Sequence, residues 1–117
     1  MSKSRSPEGF KNNHPAAPFV QLAAADSPYD VSAGEVVQVA SDVVTINFPP
    51  ARRGGEQITA ILGNAAVNNV TLQPQADEFL GGAVGAPSVI SADGTYILEA
   101  VRRESDGVYG WLVIGTF

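Results

Sequence analysis

Seven short apolar runs, each fenced by Gly, Pro, Asn or Asp, constrain this chain more than any other feature. They are "EVVQVA" (35–40), "VVTINF" (43–48), "QITAILG" (57–63), "NVTLQ" (69–73), "SVIS" (88–91), "TYILEAV" (95–101) and "VYGWLVIG" (108–115). Within them apolar residues recur at every second position, without a sustained helical stripe. Val, Ile, Thr, Tyr and Phe dominate, which suits a pleated surface. Runs of this length, punctuated this often, predict an all-β fold: a small antiparallel β-sandwich or barrel of about seven short strands. Ser41-Asp42 has the spacing of a tight hairpin or bulged link, "ADG" (92–94) reads as a turn, and "RRESDG" (102–107) turns the chain into its last strand.

The parity of each run divides its side chains between two faces. Val44, Ile46 and Phe48 share one side, as do Ile58, Ala60 and Leu62, and Tyr96 and Leu98. Ile61, Ile97 and Val101 fall opposite, and in the last run Leu112 and Ile114 oppose Trp111. A sheet with one wet face alternates apolar with polar, and these runs do not do so cleanly. Leaving such side chains in water forgoes about 25 cal/mol per Å². The second apolar face therefore calls for a cover: another sheet, the leading segment, or a neighbouring copy. Ile61, Ile97, Val101, Leu112 and Ile114 are the candidate subunit-interface residues.

Ahead of these runs, residues 1–30 hold Pro7, Pro15, Pro18 and Pro28 and show no strand or helix period beyond "FVQLAAA" (19–25). They read as an extended N-terminal arm, with 31–117 as the β-domain. Phe10, His14, Phe19, Val20 and Leu22 are the candidate anchoring points along the arm. Such a segment does not bury enough apolar surface to fold by itself.

With 117 residues, the chain is one domain at most. It has no cysteine, so neither disulfides nor Cys-based zinc sites are available. Self-association is the remaining common means of stabilising a fold of this size. The net charge is −5. Residues 26–117 carry four arginines against eleven acids, and an acidic body repels nucleic-acid phosphates. No run of about 18 apolar residues is present to span a membrane, and "MSKSRSPEGFKNNHP" lacks the apolar centre of a secretory signal. The expectation is assembly in the cytoplasm, with neither nucleic acid nor membrane as partner.

Catalytic chemistry finds few footholds. His14 is the single histidine and lies in the arm, where nothing holds an imidazole rigidly beside a nucleophile. One histidine falls short of a zinc site. The adjacent Asp77 and Glu78 point to different sides of an extended chain, and the spacing after them is not that of a calcium loop. They read as a solvated turn with Phe79 or Leu80 tucked beneath. "GGAVGAP" (81–87) has no Lys-Ser/Thr to make a phosphate loop. Arg52-Arg53 and Arg102-Arg103 would clamp an anion if brought together; the plainer reading pairs them with acids on nearby loops. Tyr96, Tyr109 and Trp111 are a candidate ligand surface for sugar stacking, against the plainer reading of core aromatics. Neither an enzyme nor a cofactor is expected.

The order of fragments resembles small β-domains of tailed-bacteriophage virion proteins. The pieces are "VVTINFPPA" (43–51), "GEQITAIL" (55–62), "NNVTLQP" (68–74), "DEFLGG" (77–82) and "DGVYGWLVIG" (106–115), spread over about residues 35–117. "GNAAVN" is less polar than the matching family turn, and "RRESDGVYG" is a longer connection. The resemblance implies a trimeric structural protein of the capsid surface, fibre or spike. A short chain with one domain and an arm fits a capsid decoration (cement or head-protrusion) protein, held on the major capsid protein through the arm and trimerised through the β-domain. The alternatives are a fibre or spike component binding a host receptor or glycan and, further off, a small metal-dependent enzyme.

Overall fold

The structure is a computed structural model that describes residues 17–65 and 67–117. They form ten strands: β1 (Phe19–Leu22), β2 (Tyr29–Asp30), β3 (Val36–Val39), β4 (Val44–Asn47), β5 (Gln57–Leu62), β6 (Val70–Gln73), β7 (Phe79–Leu80), β8 (Ser88–Ile90), β9 (Gly94–Arg102) and β10 (Tyr109–Thr116). The fold is all-β, in two sheets. The longer runs in the order β1-β3-β5-β9-β10-β7 and the shorter in the order β2-β4-β6-β8. All seven runs read from the sequence are strands.

How they pair differs from the antiparallel expectation. β1, β3 and β5 lie parallel in the long sheet, and β2, β4 and β6 lie parallel in the short one. The first six strands thus alternate between sheets, and the chain winds through three stacked coils: β1–β2, β3–β4 and β5–β6. A parallel pair needs a long crossover to bring the chain back to the same end. Here the crossover is itself a strand of the opposite sheet. The Ser41-Asp42 link therefore carries the chain from one sheet to the other instead of folding β4 back on β3. The "ADG" turn does the same between β8 and β9. Antiparallel pairing is confined to the later strands: β9 on β5, β10 on β9, and β8 on β6.

Coil stacking puts like on like. Val20, Val37 and Ala60 form one row across β1, β3 and β5, and Leu22, Val39 and Leu62 the next but one. Opposite them, Val44 stacks on Val70 and Ile46 on Leu72. These inward rows meet in one core that also takes in Phe48, Ile58, Leu98 and Trp111. The parity assigned from sequence holds along β4, β5 and β9.

The expected arm of residues 1–30 changes from Phe19 on. β1 pairs along its whole length with β3, and β2 pairs with β4. Leu22 is buried in the core, and Val36 N–H donates to Pro18 O at 2.8 Å. Alternation in "FVQL" is enough to add a first coil once β3 and β4 provide edges to pair with. Residues 1–16 lie outside the described residues.

At the far side of the long sheet, β7 lies parallel to the start of β10, with Phe79 opposite Gly110 and Leu80 opposite Trp111. A side chain at Gly110 would collide with the ring and the carbonyl of Phe79. Glycine is what lets β7 close on that edge.

Candidate functional site

Two places draw together the residues singled out in the sequence. The first is where the loop after β4 meets the turn before β7. Pro49 and Pro50 end the β4 ladder, and the chain swings out through Ala51 and Arg52. From the other side comes "QADEF" (75–79). Glu78 is completely buried. Its carboxylate accepts the Ala51 N–H, at 2.9 and 3.1 Å to its two oxygens, and Arg52 Nε–H at 2.9 Å. Arg52 Nη2 also donates to the exposed Asp77. The solvated-turn expectation is therefore corrected for Glu78: its side chain turns inward with Leu80 and has a cation and an amide waiting there. Phe79 and Leu80 are buried, as that expectation had it.

Aromatic rings line the same corner. The Arg52 guanidinium stands 5.1 Å from the Tyr109 ring centroid, and that of Arg103 stands 4.7 Å from the Phe79 ring, distances at which cations and ring faces attract. Beneath them Trp111 meets Phe48 edge to face, centroids 5.3 Å apart, and Trp111 Nε1–H donates to Pro49 O at 3.1 Å. Arg103 is paired with Asp106 at 2.8 Å. One arginine of each pair thus meets acids, as the plainer sequence reading had it. Among the described residues no group of three His, Cys, Asp or Glu is placed to hold a metal ion.

Charge in this corner shifts protonation in a definite direction. Glu78, then Asp77, holds the Arg52 guanidinium above its ordinary pKa through hydrogen bonds. Asp106 is held below the ordinary carboxylate range, first by the hydrogen bond from Arg103 and then by the Val108 N–H. A carboxylate with a depressed pKa in the folded state adds stability above its unfolded value, and that stability is lost as pH falls through the folded value. For exposed Asp106 the effect on stability is small, and the direct observable is its titration. The Asp106 carboxyl ¹³C resonance is expected to titrate below the range of an unpaired aspartate. Arg103→Ala should move its midpoint upward; an unmoved midpoint would refute the pairing.

No protein-family model matches this chain, and no curated protein matches it either.

The second place is the outer side and the free edges of the long sheet. Of the candidate subunit-interface residues, Ile61, Ile97 and Val101 are half-buried on the outer face, and Leu112 and Ile114 are exposed, both by about half. Val113 and Phe117 add to them at 39% and 78% exposure. This cluster arises because β7 covers only Gly110 and Trp111. Past that point β10 runs on with β9 as its one partner among the described residues. At the other edge, β1 carries Phe19, 55% exposed.

The remaining candidates divide. Phe10 and His14 lie outside the described residues. Val20 is half-buried against the core, and Leu22 belongs to it, so Leu22 is corrected from anchor to core. The candidate ligand surface is corrected too. Trp111 is fully buried, and Tyr96 is nearly so, its hydroxyl donating to Ala92 O at 2.7 Å. Tyr109 is half-buried under Arg52. Tyr96 and Trp111 sit on inward positions of β9 and β10, so parity makes them core.

Proposed function

We propose that this chain is a structural virion protein: a capsid decoration protein whose β-sandwich body associates with copies of itself, three by the resemblance, and attaches to the major capsid protein through its N-terminal segment. The observation that carries the reading is the long sheet's uncovered apolar surface. Phe19 at one edge and Leu112, Val113, Ile114 and Phe117 at the other are exposed together, where a protein working alone would carry polar residues. Order of fragments in "VVTINFPPA", "NNVTLQP" and "DGVYGWLVIG" supports the same reading through its likeness to virion β-domains. The receptor- or glycan-binding alternative loses its aromatic platform, since Trp111 and Tyr96 are in the core.

Because residues from Phe19 onward build the first coil, attachment is assigned to residues 1–16. Shells assembled from a tailed-bacteriophage major capsid protein of the same virus provide the test. The full chain is expected to co-sediment with them. A chain lacking residues 2–16 should keep its β-type circular dichroism and stay in the supernatant. Co-sedimentation unchanged by the deletion would overturn the assignment, and no binding by the full chain would overturn the decoration role.

A further inference from the structure

We infer that the long sheet continues from one copy of this chain into the next, the C-terminal half of β10 in one copy pairing parallel with β1 of its neighbour. This deepens the self-association in the proposed function and rests on that part of it; attachment to a shell is not needed for it.

The two edges of the long sheet match in direction, length and charge. β1 runs parallel to β3 and β5; β9 runs against β5, and β10 against β9. β10 therefore points the same way as β1, and laying one copy's β1 along another's β10 adds a parallel pair of the kind β7 already makes with β10. β7 occupies Gly110 and Trp111, leaving the five residues Leu112–Thr116 beside the four-residue β1. Neither "LVIGT" nor "FVQL" carries a charge, although the chain as a whole carries −5. Copies of an acidic chain repel each other except where they meet through uncharged surface, and these edges supply it. Exposed Leu112, Val113 and Ile114 would be covered by the incoming strand and by Phe19. Among the described residues neither segment has a second strand beside it, and apolar edges left open invite strand addition. Two different edges meeting make a head-to-tail contact, which closes into a ring or runs on.

Backbone geometry gives clean reagents. Amides alternate sides along a strand, and Val36 N–H donates to Pro18 O. Val20 and Leu22 therefore turn their amides toward β3, and Gln21 turns its amide to the open edge. On β10, Phe117 N–H donates to Thr95 O, and Arg103 N–H to Val108 O. Counting on from Val108, ahead of the register shift between Val113 and Gly115, Val113 turns its amide away from β9. Gln21→Pro and Val113→Pro thus each remove an outward amide, the position at which an edge strand tolerates proline.

Light scattering across a concentration series is expected to give the full chain a mass above that of one copy, and each proline variant the 12.2 kDa of a single chain. An equimolar mixture of the two variants should return a mass of two copies, since one intact β10 edge still meets one intact β1 edge. A monomeric full chain, or association surviving both prolines, overturns the inference. Association lost in Val113→Pro but kept in Gln21→Pro also overturns it, since β10 would then be pairing with its own equal. If a proline variant loses its circular dichroism, Gln21→Lys and Val113→Lys replace the pair and are held to the same outcomes. Shell co-sedimentation of the full chain separates the two ideas: a full chain that binds shells yet stays monomeric sinks the edge contact alone, and one that associates yet does not bind shells sinks the decoration role alone.

Discussion

Replacing Trp111 with alanine is expected to cost about 3–5 kcal/mol, the range for deleting a large buried aromatic side chain. A small domain has a total stability of about 5–15 kcal/mol, so the substitution consumes a large share of it. The reason lies in where β10 places the residue. Trp111 is fully buried, opposite Ala100 on one side and Leu80 on the other. It also closes the corner between the sheets, its ring edge-on to Phe48 from the end of β4 and its indole N–H bonded to Pro49 O. Alanine would remove the inter-sheet contact and open a cavity under the Pro49-Pro50 loop. Trp111→Phe should be milder, keeping part of the ring contact and giving up a hydrogen bond worth about 0.5–1.5 kcal/mol along with some volume. Urea unfolding followed by far-ultraviolet circular dichroism is the suitable measurement, since the single tryptophan is no longer there to report. A shift in unfolding free energy below about 1 kcal/mol for the alanine variant, which is the scale of a surface change, would mean that β10 does not turn this face inward.

That inward face was legible in the sequence, and much else on the same level was too. Period-two alternation identifies β3, β4, β5, β6, β8, β9 and β10, and it assigns Ile58, Ala60, Leu62, Tyr96 and Leu98 to one side, all of which are buried. The strands it misses have too few residues to show a period: β2 and β7 have two each, and β1 merges into the alanines that follow it. Pairing is a different matter. Alternation says which way a side chain faces and nothing about which strand lies alongside. A short link such as Ser41-Asp42 serves equally to reverse a strand within one sheet or to cross to the other, because both need a sharp bend between two extended segments. The parallel coils were hidden for that reason. For the acidic turn the signal was present but outweighed. Glu78 has the same parity as Leu80, and in extended chain the two share a side; an acid beside Gly81-Gly82 nonetheless reads as solvated. What reverses it is Arg52, 26 residues earlier in sequence, which no local pattern connects to Glu78.

The Glu78–Arg52 pair makes the second large prediction, and its value lies in an asymmetry. Glu78 is wholly buried, whereas the Arg52 side chain is 53% exposed. Take away the carboxylate, and the guanidinium still has water and Asp77. The cost then falls on the Ala51 N–H, left without its acceptor, and on the space vacated beside it. Glu78→Ala is expected to lose about 3 kcal/mol, combining an unsatisfied buried donor at about 1–3 kcal/mol with a small cavity. Glu78→Gln, whose amide oxygen still accepts from Ala51, should lose less. Arg52→Ala works the other way round: it leaves a carboxylate sealed in the interior with a lone amide for company, and a buried charge stripped of its partner is the costly half of a broken pair. The double variant Arg52→Ala with Glu78→Gln should therefore be more stable than Arg52→Ala alone, because the second change removes the stranded charge created by the first. A double-mutant cycle on urea unfolding free energies measures this. Strict additivity, with the second substitution destabilising by the same amount in either background, would show that Glu78 does not depend on Arg52. It would also undo the account of how the loop after β4 is fastened to the turn before β7.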